Sequence, residues 1–174
     1  MHQAQFILGM LLLTQAAAAV AAQAVAELPA YSRDYDAERN PFADGRDALA
    51  LARRSGRLVM IEVGGDWCLW CRALDGFIKA NSAVYDRLHQ NFVLLKVNTS
   101  EANDNAKFLA GLPRTNGYPH VFISRDDGGL IGSTDTTRLI VNGRYDAQRL
   151  LAFLDHWIER GAVQRSSSNL PRNQ

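Results

Sequence analysis

The sequence predicts an α/β domain, and three observations predict it. Short apolar runs of strand length stand at Leu58–Val63, Phe92–Val97 and His120–Ser124. Segments with apolar residues at helical spacing alternate with those runs. The only two cysteines, Cys68 and Cys71, form a C-x-x-C pair where the first run gives way to a helical pattern. A chain of 174 residues, 47% hydrophobic with net charge +1, fits one globular domain with a sizeable core. Basic and acidic residues are interspersed with no Lys/Arg block, so the electrostatic footprint of a nucleic-acid binder is missing.

Residues 1–24 read as a signal peptide. Phe6–Leu13 is an apolar core, and Ala22-Gln23-Ala24 and Ala24-Val25-Ala26 are small-residue cleavage sites. Export to the periplasm or another exported location follows. The usual Lys/Arg near the start is absent, leaving the terminal amine and His2. An uncleaved membrane anchor is the alternative, but Gln15 interrupts a stretch already short of the roughly 20 apolar residues a span needs. No stable span is expected after processing.

Residues 25–43 read as a polar lead-in with Tyr31, Tyr35 and Phe42 as anchors onto a domain placed at 44–162. Asp44 is expected to cap a helix through Asp47–Arg54, closed by the Arg53-Arg54 pair and by Ser55-Gly56. The run Leu58–Val63 reads as a strand covered on both faces, with one acid, Glu62, inside it. Carboxylates are seldom buried without a partner or a task. Gly64-Gly65 then lets the backbone turn sharply.

Leu74, Phe77 and Ile78 follow helical spacing, and Val84, Tyr85 and Leu88 resume it after Asn81-Ser82. This predicts a kinked helix, or two helices with Asn81 or Ser82 as the second cap. After the strand Phe92–Val97, Ser100 is expected to cap a short helix carrying Phe108 and Leu109, ended by Gly111 and Pro113. Asn116–Pro119 is a turn into the strand His120–Ser124, and Arg125–Gly129 is a hairpin turn returning through Leu130–Ser133. Leu139–Gly143 is either an extra hairpin or a packed loop. Asp146 caps a last helix whose Leu150, Phe153, Leu154, Trp157 and Ile158 form a core stripe, and residues 163–174 read as a flexible tail.

A disulfide across two intervening residues closes too short a loop to constrain much of the unfolded chain, so the pair is explained by reactivity. A helix start also favours thiolate over thiol at the first cysteine.

The order strand, C-x-x-C, helix, strand, helix, Pro-led hairpin, amphipathic helix resembles the thioredoxin fold over about Asp44 to Arg160. Three separated features carry the resemblance: Trp67-Cys68-Leu69-Trp70-Cys71, the pair Tyr118-Pro119, and Glu62 six residues before Cys68. The wording Gly-Gly-Asp-Trp-Cys-Leu-Trp-Cys is similar to exported thioredoxin-like proteins related to the C-terminal domain of the periplasmic disulfide-reducing membrane transporter. The resemblance implies a central mixed sheet flanked by helices on both faces. It implies Cys68 as nucleophile, Cys71 as the resolving cysteine, and Glu62 as proton acceptor from Cys71. Pro119 would be a cis-proline that presents the Tyr118 backbone to an extended substrate, and Trp67 and Trp70 would form an apolar lip for docking. No cofactor is implied beyond the redox-active Cys68–Cys71 disulfide. The partners implied are protein thiols and disulfides and an upstream redox partner.

The dipeptide Leu69-Trp70 lacks the His of strongly oxidising relatives and the Gly-Pro of thioredoxin, which leans towards a reductase. A disulfide oxidase or isomerase would use the same residues. A Cys/His metal or copper-delivery protein is the reading from another class; of the four histidines, only His120, next to Pro119, is a candidate third ligand.

Overall fold

The computed structural model describes residues 28–168; the signal-peptide reading lies outside them. Three of the expected strands form, and the hairpin return makes a fourth. They are β1 (Leu58–Gly64), β2 (Phe92–Asn98), β3 (His120–Ser124) and β4 (Leu130–Asp135), in the order β2-β1-β3-β4. β2 runs parallel to β1, whereas β3 is antiparallel to both β1 and β4, so the sheet is mixed. Every residue of β1, β2 and β3 is buried. That explains their near-continuous apolar composition: both sheet faces are covered.

Helix α1 (Pro41–Ser55) covers one face, with Ala48 and Ala52 against Val59, Ile61, Val63, Val93, Leu95 and Phe122. On the other face α2 (Leu69–Ala80), α3 (Ser82–Asn91) and α5 (Ala147–Ser168) pack Leu74, Val84, Leu88, Leu150 and Leu154 onto Leu58, Met60, Leu94 and Ile123. Strand alternation divides β1 between the two cores, residue by residue.

Three local expectations change, and one pair of alternatives is decided. Helix α1 starts at Pro41, three residues before the expected cap, because the Asn40 side chain accepts from the backbone N–H groups of Phe42 and Ala43 and Pro suits the first helical position. Asp44 instead lies inside the first turn, paired with Arg39. Of the two alternatives after α2, the chain takes separate helices, with Asn81 capping α3 through the Val84 N–H. Ser100 caps nothing: it bonds Asn98 and Asn103 within the loop, and α4 (Ala106–Leu109) starts after Asn105 with no side-chain cap. Helix α5, capped by Asp146 on the Arg149 N–H, continues to Ser168, into the stretch read as tail.

Leu139–Gly143 resolves into a hairpin of β5 (Ile140–Val141) and β6 (Arg144–Tyr145). Its two-residue turn, Asn142-Gly143, has positive φ at both positions (49° and 75°), the geometry these two residue types tolerate best. The lead-in is not loose either. It runs along the outer edge of β2, with the Ser32 hydroxyl donating to the Leu94 carbonyl. Tyr31 is buried in the α1-side core, and Tyr35 is buried on the opposite face. A chain segment laid along an edge strand blocks unwanted pairing there.

The Asn40 cap yields a direct check. Asn40→Ala removes the acceptor of two N–H groups and is expected to cost about 1 kcal/mol of stability in urea unfolding, with the unfolding slope unchanged.

Candidate active site

Cys68 takes the N-cap position of α2 in extended backbone geometry, and its sulfur accepts from the Cys71 N–H at 3.1 Å. It has this place because Gly64-Gly65 turns the chain off the end of β1 and the Cys68 N–H closes that turn on the Gly65 carbonyl at 3.0 Å. Cys68 and Cys71 are joined as a disulfide, with Cα atoms 5.2 Å apart. Cys68 keeps 5% of its surface and Cys71 none. The N-terminal dipole of α2 therefore acts first on the sulfur nearer solvent.

Around Cys68 the apolar surface is open. Trp67, Leu69 and Trp70 are 56%, 68% and 40% exposed and stand within four residues of one another, whereas the other exposed large apolar side chains, Phe42, Leu130 and Val163, are far apart in sequence. Trp67 is held by its indole N–H on the Thr99 carbonyl and by an edge contact with Tyr118, centroids 5.4 Å apart. The Tyr118–Pro119 peptide bond is cis, and Tyr118 packs against the cysteine cluster. Trp70 leans edge-on against Tyr145 at 6.0 Å, whose hydroxyl donates to the Trp70 carbonyl at 3.3 Å and meets Thr136 Oγ1 at 3.0 Å. Burial pushes the Tyr145 hydroxyl up to about 12, so it remains a donor through the neutral range. The β5–β6 hairpin, whose purpose the sequence did not reveal, thus supports the cysteine loop from the side.

Behind Cys71 lies a buried polar group. Glu62, 1% exposed, is fully enclosed on the α2-side face. The Tyr35 hydroxyl donates to Glu62 Oε1. Lys96, opposite Glu62 in the β1–β2 register, places Nζ over the Tyr35 ring at 4.6 Å and pairs with Asp75 of α2. Burial raises the Glu62 carboxyl above its usual range and the nearby Asp75 charge adds to this; Lys96 and the Tyr35 hydrogen bond oppose it. Burial and the adjacent Glu62 hold the Tyr35 hydroxyl well above its ordinary value. Gly64 completes the arrangement: a Cβ there would stand 2.6 Å from Cys71 Sγ and 3.0 Å from the Tyr35 hydroxyl. The missing side chain is the space in which sulfur and phenol lie together.

Of the residues singled out from sequence, Cys68 and Cys71 form the disulfide, Trp67 and Trp70 adjoin it in the chain, Tyr118 packs against it and precedes the cis bond to Pro119, and Glu62 is linked to it through Tyr35. His120 does not join them. It pairs with Val63, and alternation puts it on the sheet face opposite Glu62, with Nε2 on Ser133 Oγ at 3.0 Å. The copper-delivery reading therefore loses its third ligand, and the described residues contain no group of three or more His, Cys, Asp or Glu positioned to hold a metal ion. Sequence reasoning missed Tyr35 as a site residue, Asp75, Lys96 and Tyr145. Lys96 carried a usable signal, a lone charge in an apolar strand run; Tyr35 had none beyond its aromatic character.

Residues 41–125 match the family model described as thioredoxin-like. A disulphide isomerase from Xylella fastidiosa Temecula1 is similar in structure at 22% identity and TM-score 0.62, covering 71% of this chain and 95% of its own. A thioredoxin from Thermus thermophilus (23% identity, TM-score 0.50, 73% and 93% covered) and the oxidised DsbD C-terminal domain of Neisseria meningitidis (16%, 0.50, 70% and 96%) share the fold. No curated protein matches the sequence significantly. Together these likenesses show the thioredoxin fold. Fold and C-x-x-C disulfide together support thiol–disulfide oxidoreductase activity.

Gly64 tests this geometry. Gly64→Ala forces Cys71 or Tyr35 aside and is expected to cost about 1–3 kcal/mol in denaturant unfolding of the oxidised protein. It is also expected to slow closure of the Cys68–Cys71 disulfide from the dithiol, followed by thiol titration.

Proposed function

We propose that this protein is an exported reductase of protein disulfides. The observation that carries the reading is the asymmetry of the two sulfurs. Cys68 sits at a helix N-terminus within an exposed Trp67, Leu69 and Trp70 rim, and Cys71 is sealed in against Tyr35, whose hydroxyl donates to Glu62. In the reduced enzyme the Cys68 thiolate attacks one sulfur of a substrate disulfide. A Cys68–substrate bond forms, and the other substrate sulfur leaves with the electron pair and takes a proton. Cys71 passes its proton to the Glu62 carboxylate and attacks Cys68 Sγ. The enzyme disulfide forms and the second substrate thiol departs, so the substrate has gained two electrons. An upstream dithiol partner returns the enzyme to the reduced state.

Glu62 suits the middle step because a carboxyl whose proton affinity is raised by burial accepts a proton near neutral pH better than an ordinary one. Trp67, Trp70 and Tyr118 offer the partner chain an apolar bed next to Pro119, whose flanking backbone accepts an extended strand. The uncharged Leu69-Trp70 dipeptide supplies no extra thiolate stabilisation of the kind that makes an oxidant. Export rests on the apolar Phe6–Leu13 run and the Ala-x-Ala sites that follow it. No helix among the described residues is long and apolar enough to cross a membrane.

Two measurements check the reading. Cys71→Ser is expected to accumulate mixed disulfides with protein substrates through Cys68, while Cys68→Ser accumulates none. Equilibration of the wild-type protein with glutathione buffers is expected to give a potential of about −230 mV or lower; a value near the roughly −120 mV of strong oxidants overturns the reductase assignment.

A further inference from the structure

We propose that Tyr35, in the segment that precedes the thioredoxin-like domain, is a positioning residue of the active site that holds the Glu62 carboxylate for the Cys71 proton. The inference rests on the dithiol cycle proposed above and adds a component to it. Nothing in the C-x-x-C motif or the domain's own strands and helices supplies this group.

Tyr35 is buried, and it makes three contacts from three different sides. Its hydroxyl donates to Glu62 Oε1. Its ring packs with Cys68 and Cys71 and shares the space over Gly64 with Cys71 Sγ. The face of the ring carries the Lys96 ammonium at 4.6 Å. The backbone on both sides is anchored: Ser32 on the Leu94 carbonyl, and Ala37 through its carbonyl, which accepts from Asn103 Nδ2 at 2.8 Å. A side chain serving only to cover the edge of the sheet would not need its one polar atom on the one buried carboxylate of β1.

The titratable groups around Glu62 are Tyr35 from the lead-in, Lys96 from β2, Asp75 from α2 and Tyr145 from β6. Its cross-strand neighbour on β3, Val121, is apolar, as are Val84 and Leu88 of α3 and Leu150 and Leu154 of α5, which line the same cavity. Of the titratable groups Tyr35 makes the hydrogen bond to the carboxylate, and Lys96 is engaged by Asp75. Removing the Tyr35 hydroxyl takes a donor from the charged form of Glu62, so the carboxyl holds its proton to higher pH. Below that pH Glu62 is already protonated and cannot receive the proton of Cys71. The acid limb of the resolving step must then move upward.

The test uses the reduced full chain and an aromatic disulfide, 5,5′-dithiobis(2-nitrobenzoate). Cys68 attacks it and releases one thionitrobenzoate; Cys71 then attacks Cys68 Sγ and releases the second, so the second absorbance phase reads the resolving step alone. In wild type this rate is expected to fall on the acid side with one ionisation. Tyr35→Phe is expected to move that limb up by about one pH unit, which lowers the acid-side rate about tenfold, with the rate above the limb little changed. Glu62→Gln removes this limb and leaves only the ionisation of Cys71 itself at higher pH, and adding Tyr35→Phe to it produces no further shift. A second variant carrying 3-fluorotyrosine at position 35, a stronger donor of the same shape, moves the limb downward and keeps the proposal testable if Tyr35→Phe does not fold. If the limb disappears in Glu62→Gln but stays in place in the position-35 variants, Tyr35 is structural only and the proposal is overturned. A limb that stays at its wild-type pH in Glu62→Gln overturns instead the assignment of Glu62 in the cycle.

Discussion

A carboxylate enclosed at the end of the central strand is the constraint on which the rest of this site depends. An isolated buried charge of this kind costs several kcal/mol even after the protein relaxes, and removing one partner from a buried charged group costs about 3–5 kcal/mol. Glu62 therefore requires compensation from its surroundings. Compensation comes from two chain segments far apart in sequence, a hydroxyl from the lead-in and an ammonium from the neighbouring parallel strand, while Asp75 on the cysteine helix holds that ammonium in place and itself opposes the Glu62 charge. Each of these ties a different layer of the fold to the region behind Cys71.

That requirement explains features which otherwise look unrelated. Lys96 interrupts an apolar strand because its register partner is Glu62. Gly64 is small because Cys71 and Tyr35 meet where its side chain would be. The lead-in is laid along the edge of β2 so that Tyr31 and Tyr35 reach opposite faces of the sheet. On the outer side the requirements differ. Trp67, Leu69 and Trp70 remain exposed, and the β5–β6 hairpin braces Trp70 through Tyr145 without covering it.

The fold was legible where the residue pattern is local. Strand runs at Leu58, Phe92 and His120, the hairpin turn at Gly128-Gly129 and the α5 stripe all follow from periodicity and turn chemistry. Caps were less legible. Asn40 and Asp44 are both good capping residues near the same helix start, and the choice went to the residue followed by Pro41, whose missing N–H costs nothing there. Ser100 reads as a cap on type alone, but Asn98 and Asn103 compete for its hydroxyl. His120 was placed near the thiols by proximity to Pro119, whereas strand alternation sends it to the other face.

By itself the sequence determined the α/β order, the C-x-x-C pair at a helix start, the unusual acid within β1 and the aromatic residues beside the cysteines. These are properties of neighbouring residues, carried by spacing and residue type. Only the tertiary structure decided that Tyr35 donates to Glu62, that Lys96 and Asp75 complete the buried group, and that Tyr145 supports Trp70. Those contacts join positions 21 to 75 residues apart. No local pattern encodes them, because they depend on strand register and on the path of a lead-in whose regular structure is limited to a 3-10 turn at Ala30–Ser32.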